Sequence, residues 1–552
     1  MAILKLRDLG KYGVIRDLVQ FDIPLTAWTT AKNVRFVNNA IRRGPIFRRV
    51  VDLETHVPTF VDGIDPLSGN DYIIVGMNTG RVYVTQVDTT NPLLTDNTNP
   101  TFSTLTDITP AGFEDTSAYV PHTSCFLGDV YYINREDHEP WGLPRTAATL
   151  SGLTGWGAWR CKALRAYGGM LIALGVTKGA YEYPTMVKWS DYAVAGSFPN
   201  NWNEASTTSS AGENVLADMR NPIVDGLALR DKFIIYSNNE VWVMDQVGGS
   251  QIFNFRRLFD NTGIMNVNCA VEVGGKHYVM GYDDIYVHDG VQRKSLALGR
   301  VREYVFRTID RRFMDRCFVT HNPLLNEIMF CYVTEDDLIH FRPNQGCNRA
   351  VAYDYLHDTW TIYDLPHVFS AGNATLNTGL TYTRSGTVSY QDMGGSFLDK
   401  EDPYKKNLIM VGMADTRYGL GNRIYVFEPY ESGNVSLPID DAANAPIRLE
   451  KTGIDLDEVD AEIRGYKNTI ALYPQGRVSD PDKPINFEVG ATDYADVTPF
   501  FQPAQGFTGG EGNYKIDTRM AGRFLALKIE YDSYKDFSLS GMDFDVIITG
   551  DR

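Results

Sequence analysis

Cysteine is scarce: six residues in 552, at 125, 161, 269, 317, 331 and 347. No two have CxxC spacing and no histidines cluster beside them, which argues against a zinc site. Long apolar runs are missing too. The longest, such as 170–174, fall far short of the roughly 20 residues of a membrane-spanning helix. The first residues, Met1-Ala-Ile-Leu-Lys-Leu-Arg-Asp8, lack the apolar centre of a signal peptide. Together these absences point to folding in a cytosol with the thiols reduced. Basic charge is in deficit, 52 Lys and Arg against 69 Asp and Glu, net −17. That balance argues against a chain whose main task is gripping nucleic acid.

Helical periodicity is rare. The best case is 296–309, where Val301, Val305 and Ile309 share one face. Catalytic signatures are absent: no G-x-S-x-G, no Walker loop, no H-E-x-x-H, and no G-x-G-x-x-G after a strand. The Gly-rich stretch 506–512 lacks the Lys that phosphate binding needs and reads as a flexible connection. Ser190-Asp191-Tyr192, with Gly196 and Trp202 following, faintly resembles the Asp-box of sialidase propellers, but its spacing differs and it occurs once. Trp189, Trp202, Trp242 and Trp360 could stack on sugars, though tryptophan in a blade is more often core. A glycosidase carboxylate pair is not excluded by counting acids. No catalytic, cofactor or metal residue is assigned, and no DNA-channel or gate residue.

Short β-prone runs are plentiful. Residues 226–247 contain apolar runs at 233–236 and 241–244 around Ser237-Asn238-Asn239-Glu240, preceded by a third run at 227–229. Asn tolerates the left-handed backbone of a tight turn, so this reads as a β-hairpin. The same unit recurs at 72–84, 126–133, 164–174, 270–287, 327–363 and 408–427. Its centres lie roughly 40 to 60 residues apart, the period of a propeller blade. The echoes share strand–turn geometry rather than letters, with no WD series and no strict kelch signature.

Residues 1–50 differ. They carry ten Lys and Arg against three Asp, 10 − 3 = +7, leaving −24 for the rest. Residues 31–45 read as strand, Asn38-Asn39 turn, strand: a basic hairpin that suits a phosphate backbone, an acidic partner, or a solvated face with local ion pairs. Long loops are expected at 88–119, 193–221 and 371–406. After about 435 the pattern changes. An acidic stretch at 454–462 precedes alternating strands at 469–473, 485–489, 523–531 and 537–548, which read as a separate β-sandwich. The expected fold is all-β: a β-propeller, 51–435, inserted into or joined to a β-sandwich-like platform, 436–552. The basic segment 1–50 is expected to belong to that platform.

Several stretches resemble the tail nozzle proteins of short-tailed bacteriophages. Ala31-Lys-Asn-Val-Arg-Phe with Ile41-Arg-Arg-Gly-Pro45 resembles their N-terminal signature. Lys188-Trp-Ser-Asp with Phe198-Pro-Asn-Asn-Trp202 is similar to their central motif. Val241-Trp-Val-Met-Asp, Phe255-Arg-Arg-Leu, Gly263-Ile, Arg302-Glu-Tyr-Val-Phe and Asn326-Glu-Ile-Met-Phe330 are similar too. Asp517-Thr-Arg-Met-Ala-Gly-Arg523 and Leu539-Ser-Gly-Met-Asp-Phe-Asp545 resemble their closing strands. The similarity spans nearly the whole chain, and the order of the motifs is more specific than any one of them. It implies a structural, non-enzymatic virion protein made in the host cytoplasm. Its copies would form a homo-oligomeric ring, a hexamer, in the tail. That ring would dock to the portal-adaptor ring protein and to tail fibre or spike proteins. It would retain packaged double-stranded DNA and conduct it without sequence recognition, and needs no cofactor. The alternative is a propeller glycan-binding or glycan-degrading tail protein.

Overall fold

The computed structural model describes residues 2–551 apart from 65–70, 88–104, 111–119, 145–146, 249–251, 335–345, 377–405, 414–420, 431–436, 456–464, 495–496 and 510–512. Most of the 88–119 and 371–406 loops and of the acidic stretch 454–462 therefore lies outside the described residues.

The 226–247 unit folds as three antiparallel strands, Ile223–Leu229, Lys232–Ser237 and Glu240–Gln246, with Phe253–Asp260 added outside them. Nearly every residue of the middle strands is buried, rather than every second one. A sheet covered on both faces has no solvent side to impose alternation. The turn differs from its expected chemistry. Asn238 and Asn239 do not take the left-handed backbone; Asn38 and Asn39 do, at φ 50° and 62°. The Ser237 hydroxyl holds the 237–240 turn instead, accepting from the Glu240 N–H at 2.9 Å.

Each recurring unit lies in its own blade of a seven-bladed propeller: blades 1 to 5 are separate sheets, and blades 6 and 7 share one. Blades 1 to 5 span 58–107, 122–152, 159–215, 223–260 and 270–295, each with four strands in chain order. Blade 6 is Phe318–Asn322, Glu327–Tyr332, Cys347–Asp354 and the first half of Thr359–Ala374. That last strand shifts register between Val368 and Ser370, and its second half becomes the innermost strand of blade 7. Asn407–Met413, Asn422–Glu428 and Ile46–Glu54 complete blade 7. The ring is thus closed by a strand from near the start of the chain. A boundary at residue 50 is corrected: Ile46–Glu54 is one propeller strand, held to Asn422–Glu428 by a backbone ladder. Ala371–Ala374, expected as loop, is strand as well.

Blade 7 meets blade 1 closely. A Cβ on Gly63 would lie 2.3 Å from the Asn373 carbonyl, and one on Gly372 would lie 2.9 Å from that of Val61. Only glycine permits this approach.

The sandwich is built from both ends of the chain. One sheet joins Val34–Val37, Ala40–Arg43, Phe537–Asp551, Gly465–Val478 and Ile516–Gly522, with Ala2–Arg7 beside Phe537–Asp551. The other joins Thr30–Lys32, Ile447–Ile454, Phe524–Tyr531 and Ile485–Thr492, edged by Phe500–Phe501 and Gln505–Phe507. Gly506 therefore sits in a strand rather than a flexible connection. Val34, Phe36, Ile41, Leu472, Leu527 and Phe544 share the interior.

Thr30–Lys32 also pairs in parallel with the outer strand of blade 6, Lys32 opposite Ile362. One continuous sheet thus runs from propeller into sandwich. The one α-helix among the described residues, Arg302–Thr308, bears the buried Val301–Val305–Ile309 face read from periodicity. Asp17 caps it, accepting from the Glu303 and Tyr304 N–H groups at 3.0 and 3.1 Å.

Candidate functional site

A propeller offers its axis as the first place to look for a site, because the inner strands of all blades converge there. Here the axis is filled. Arg165 of blade 3 makes two bonds to Asp225 of blade 4, at 2.9 and 2.7 Å. The same guanidinium donates to Asn268 Oδ1 of blade 5 at 2.8 Å and to the Ser124 carbonyl of blade 2 at 3.2 Å. Ser124 in turn donates to Asp62 of blade 1 at 2.7 Å. Asn268, at φ 60°, reaches across to blade 2, donating to the His122 carbonyl at 2.7 Å. Its own carbonyl accepts from Val319 N–H of blade 6 at 2.8 Å. A cavity of about 160 Å³ lies beside this network, far too small for a nucleic-acid strand.

The electrostatics match a structural plug. Burial pushes the Asp62 carboxyl upward against its hydrogen bonds from Ser124, Gly63 N–H and Tyr131. Burial opposes the charge of Arg165, but the Asp225 carboxylate outweighs it and the guanidinium is held charged. Such a buried pair satisfied on both sides fixes geometry more than it adds stability.

Residues 1–50 tell a second story. Six of their cations pair with acids from later in the chain: Arg7 with Asp543, Lys32 with Asp364, Arg35 with Glu327, Arg42 with Asp536, Arg48 with Glu428, and Arg49 with Asp440. In the Arg35–Glu327 pair, at 2.8 Å, Glu327 is buried and Arg35 partly so, and Tyr363 donates to both Glu327 oxygens at 3.1 Å. Arg43 has no carboxylate within ion-pair distance among the described residues; its guanidinium faces the Ala445 carbonyl, and burial lowers it to about 10. The charge segregated in sequence is brought together in space. Of the three uses open to the basic hairpin, local ion pairing is the one these contacts serve.

The glycan candidates are accounted for in the core. Trp189, Trp202, Trp242 and Trp360 are all buried. Trp202 packs edge-on against Trp156, ring centroids 4.6 Å apart, and Trp360 packs on Tyr353 at 5.0 Å. Asp191 caps its own loop, accepting from Tyr192 N–H at 2.9 Å and Ser210 N–H at 3.2 Å. Ser190 accepts from Leu171 N–H at 3.0 Å, inside blade 3. The six cysteines are unpaired, and burial pushes the Cys125 and Cys317 thiols up to about 12, well away from thiolate chemistry. Among the described residues no three His, Cys, Asp or Glu side chains gather as a metal site. None of their helices is long and apolar enough to cross a membrane.

A wider cleft, about 490 Å³, lies between the N-terminal segment, the helix Arg302–Thr308 and the sandwich loop at 497–499. Leu18, Val19 and Val497 form its exposed apolar lips, at 43, 47 and 53 % exposure. Neither the plug nor this cleft is marked in the sequence. Their residues are far apart in the chain, and no local spacing marks them.

No protein-family model and no curated protein matches the chain. Among solved structures it is similar to the computationally designed Ika8 protein, with 10% identity over 69% of this chain and 99% of that one, at a TM-score of 0.35. It is also similar to YCF48 bound to D1 peptide, with 9% identity over 69% of this chain and 96% of that one, at a TM-score of 0.34. Likenesses at this level carry no argument, so the propeller rests on the strand pairing described above.

Proposed function

We propose that this chain is a structural subunit of a phage tail nozzle, acting as one copy of a ring and not as an enzyme. The observation that carries the reading is architectural. Residues 2–43 and 447–551 build one sandwich with the propeller inserted between them, the arrangement that the nozzle resemblance implies. The plugged propeller axis supports it further. A chain that conducts DNA must do so through a channel between copies, because its own axis is closed by Arg165, Asp225 and Asn268. In this reading the sandwich closes the ring, six copies encircle the DNA, and an adaptor ring and fibres or spikes attach to it.

The lumen should let duplex slide. Binding tightens with each phosphate that Lys or Arg neutralises. With six basic residues of the 1–50 segment paired to acids, little of its charge is left to grip a backbone. The test is a titration of purified rings with duplex across a salt series. Weak binding with a shallow slope is expected; tight binding with a steep negative log–log slope would overturn the sliding channel.

A further inference from the structure

Blades 4 and 5 meet through a buried hydrogen-bond relay. Tyr236, on Lys232–Ser237 of blade 4, places its hydroxyl 2.7 Å from His277 Nδ1 and 2.6 Å from His288 Nε2. The two histidines face each other across adjacent strands of blade 5, Lys276–Met280 and Ile285–His288. All three side chains are buried.

The outer contacts fix every proton. His277 Nε2 lies 2.9 Å from the Ala228 carbonyl of blade 4, so that nitrogen carries the hydrogen and Nδ1 is the acceptor. Tyr236 then donates to His277 and accepts from His288 Nε2–H. His288 Nδ1 accepts from the Gly290 N–H at 3.3 Å. The relay runs one way from Gly290 to Ala228, and both imidazoles are neutral. An added proton at His288 Nδ1 would face the Gly290 N–H donor. One at His277 Nδ1 would strand the tyrosine hydrogen without an acceptor, in a site where unpaired polar groups are costly.

We propose that this relay makes the seam between blades 4 and 5 an acid-labile latch, the place where the propeller ring loosens first as pH falls. The acids nearest it favour an added proton but do not offset its burial. Asp225 of blade 4 is occupied by Arg165 and the Asn268 N–H. Asp289 accepts from the Val291 and Gln292 N–H groups. Tyr286 donates to the Gly263 carbonyl, and Phe259 covers His288 edge-on at 5.5 Å. Burial lowers His277 to about 4 and His288 to about 3, below the usual imidazole value. Protonation therefore favours any state in which the seam is open, and it does so below about pH 6.5.

Hydrogen–deuterium exchange of the full chain at pH 7 and pH 4.5, corrected for intrinsic rates, tests this. Amides of Lys232–Ser237, Lys276–Met280 and Ile285–His288 should lose about tenfold or more of their protection. Those of Met170–Lys178 in blade 3 and Asn422–Glu428 in blade 7 should change much less. A His288→Phe variant, whose ring suits the site beside Phe259 and Tyr286, should show a clearly smaller acid loss at the seam. An equal loss in all blades, or none at the seam, would overturn the proposal from the wild-type protein alone.

Discussion

Two kinds of junction hold this molecule together, and they differ in what carries them. Blades 2 to 5 are joined by side chains: Arg165 to Asp225, Asn268 to His122 across the axis, Tyr236 to His277 and His288. Between propeller and sandwich the junction is backbone. Thr30–Lys32 sits between the blade 6 strand Thr359–Ala374 and the sandwich strand Ile447–Ile454. A side-chain seam can be broken by one proton or one substitution; a shared ladder cannot. Propeller and sandwich should therefore unfold together, while the seams give local opening.

The largest expected effect is at the Arg35–Glu327 ion pair, whose carboxylate is buried and which reinforces the backbone junction. Glu327→Ala leaves Arg35, partly buried, and Tyr363, buried, without their acceptor, and loss of about 3–5 kcal/mol is expected from urea unfolding. Both domains should still melt in a single transition, followed by separate tryptophan probes in the blades. Two well-separated transitions would break the comparison.

Trp202→Ala comes next. With Trp202 packed in the core against Trp156, the change should cost about 3–5 kcal/mol of stability. Soluble glycans should neither protect the wild type nor distinguish it from the variant by calorimetry.

Per histidine, acid gives a smaller effect with a definite sign. Three histidines are buried neutral, with His122 at about 3, His277 at about 4 and His288 at about 3. Their folded values lie below the unfolded value of about 6.5, so above that pH they contribute no slope. Below it the unfolded chain binds protons that the native chain refuses, and stability falls. Between pH 6.5 and pH 5 the loss is about 2 kcal/mol per histidine. Denaturant midpoints across this range would check it; a flat profile would contradict the neutral relay.

The smallest effect is at the surface. Arg7 and its partner Asp543 form an exposed pair at 2.7 Å. Arg7→Ala should change stability by less than about 1 kcal/mol, and salt should erase the difference.

The contrast between the junctions also explains what could be read in the chain. Hairpins were legible because apolar runs broken by Gly-Gly, Gly-Asp or Asn-rich turns are local signals, and each such unit lies in a separate blade. The outermost strands were not. Thr106–Asp107 and Ser151–Gly152 are two residues each, too short to show a period. The closure of the seventh blade was hidden because its outer strand, Ile46–Glu54, pairs with Asn422–Glu428 across most of the sequence. Arg165 and Asp225 lie 60 residues apart, and nothing local to either announces the plug. Tyr236 and His277 lie within apolar runs that mark strands and His288 directly follows one, but pattern reports the strand and not the partner of its polar side chain.

A nozzle role for this chain requires a channel between copies and not within one. Electron microscopy of the purified full-length protein, at concentrations where the ring is assembled, tests this most directly. We predict six-fold rings with an open axial channel, a closed axis in every propeller, and sandwiches in contact between neighbours. Monomeric particles at all concentrations, with and without adaptor ring, would contradict it.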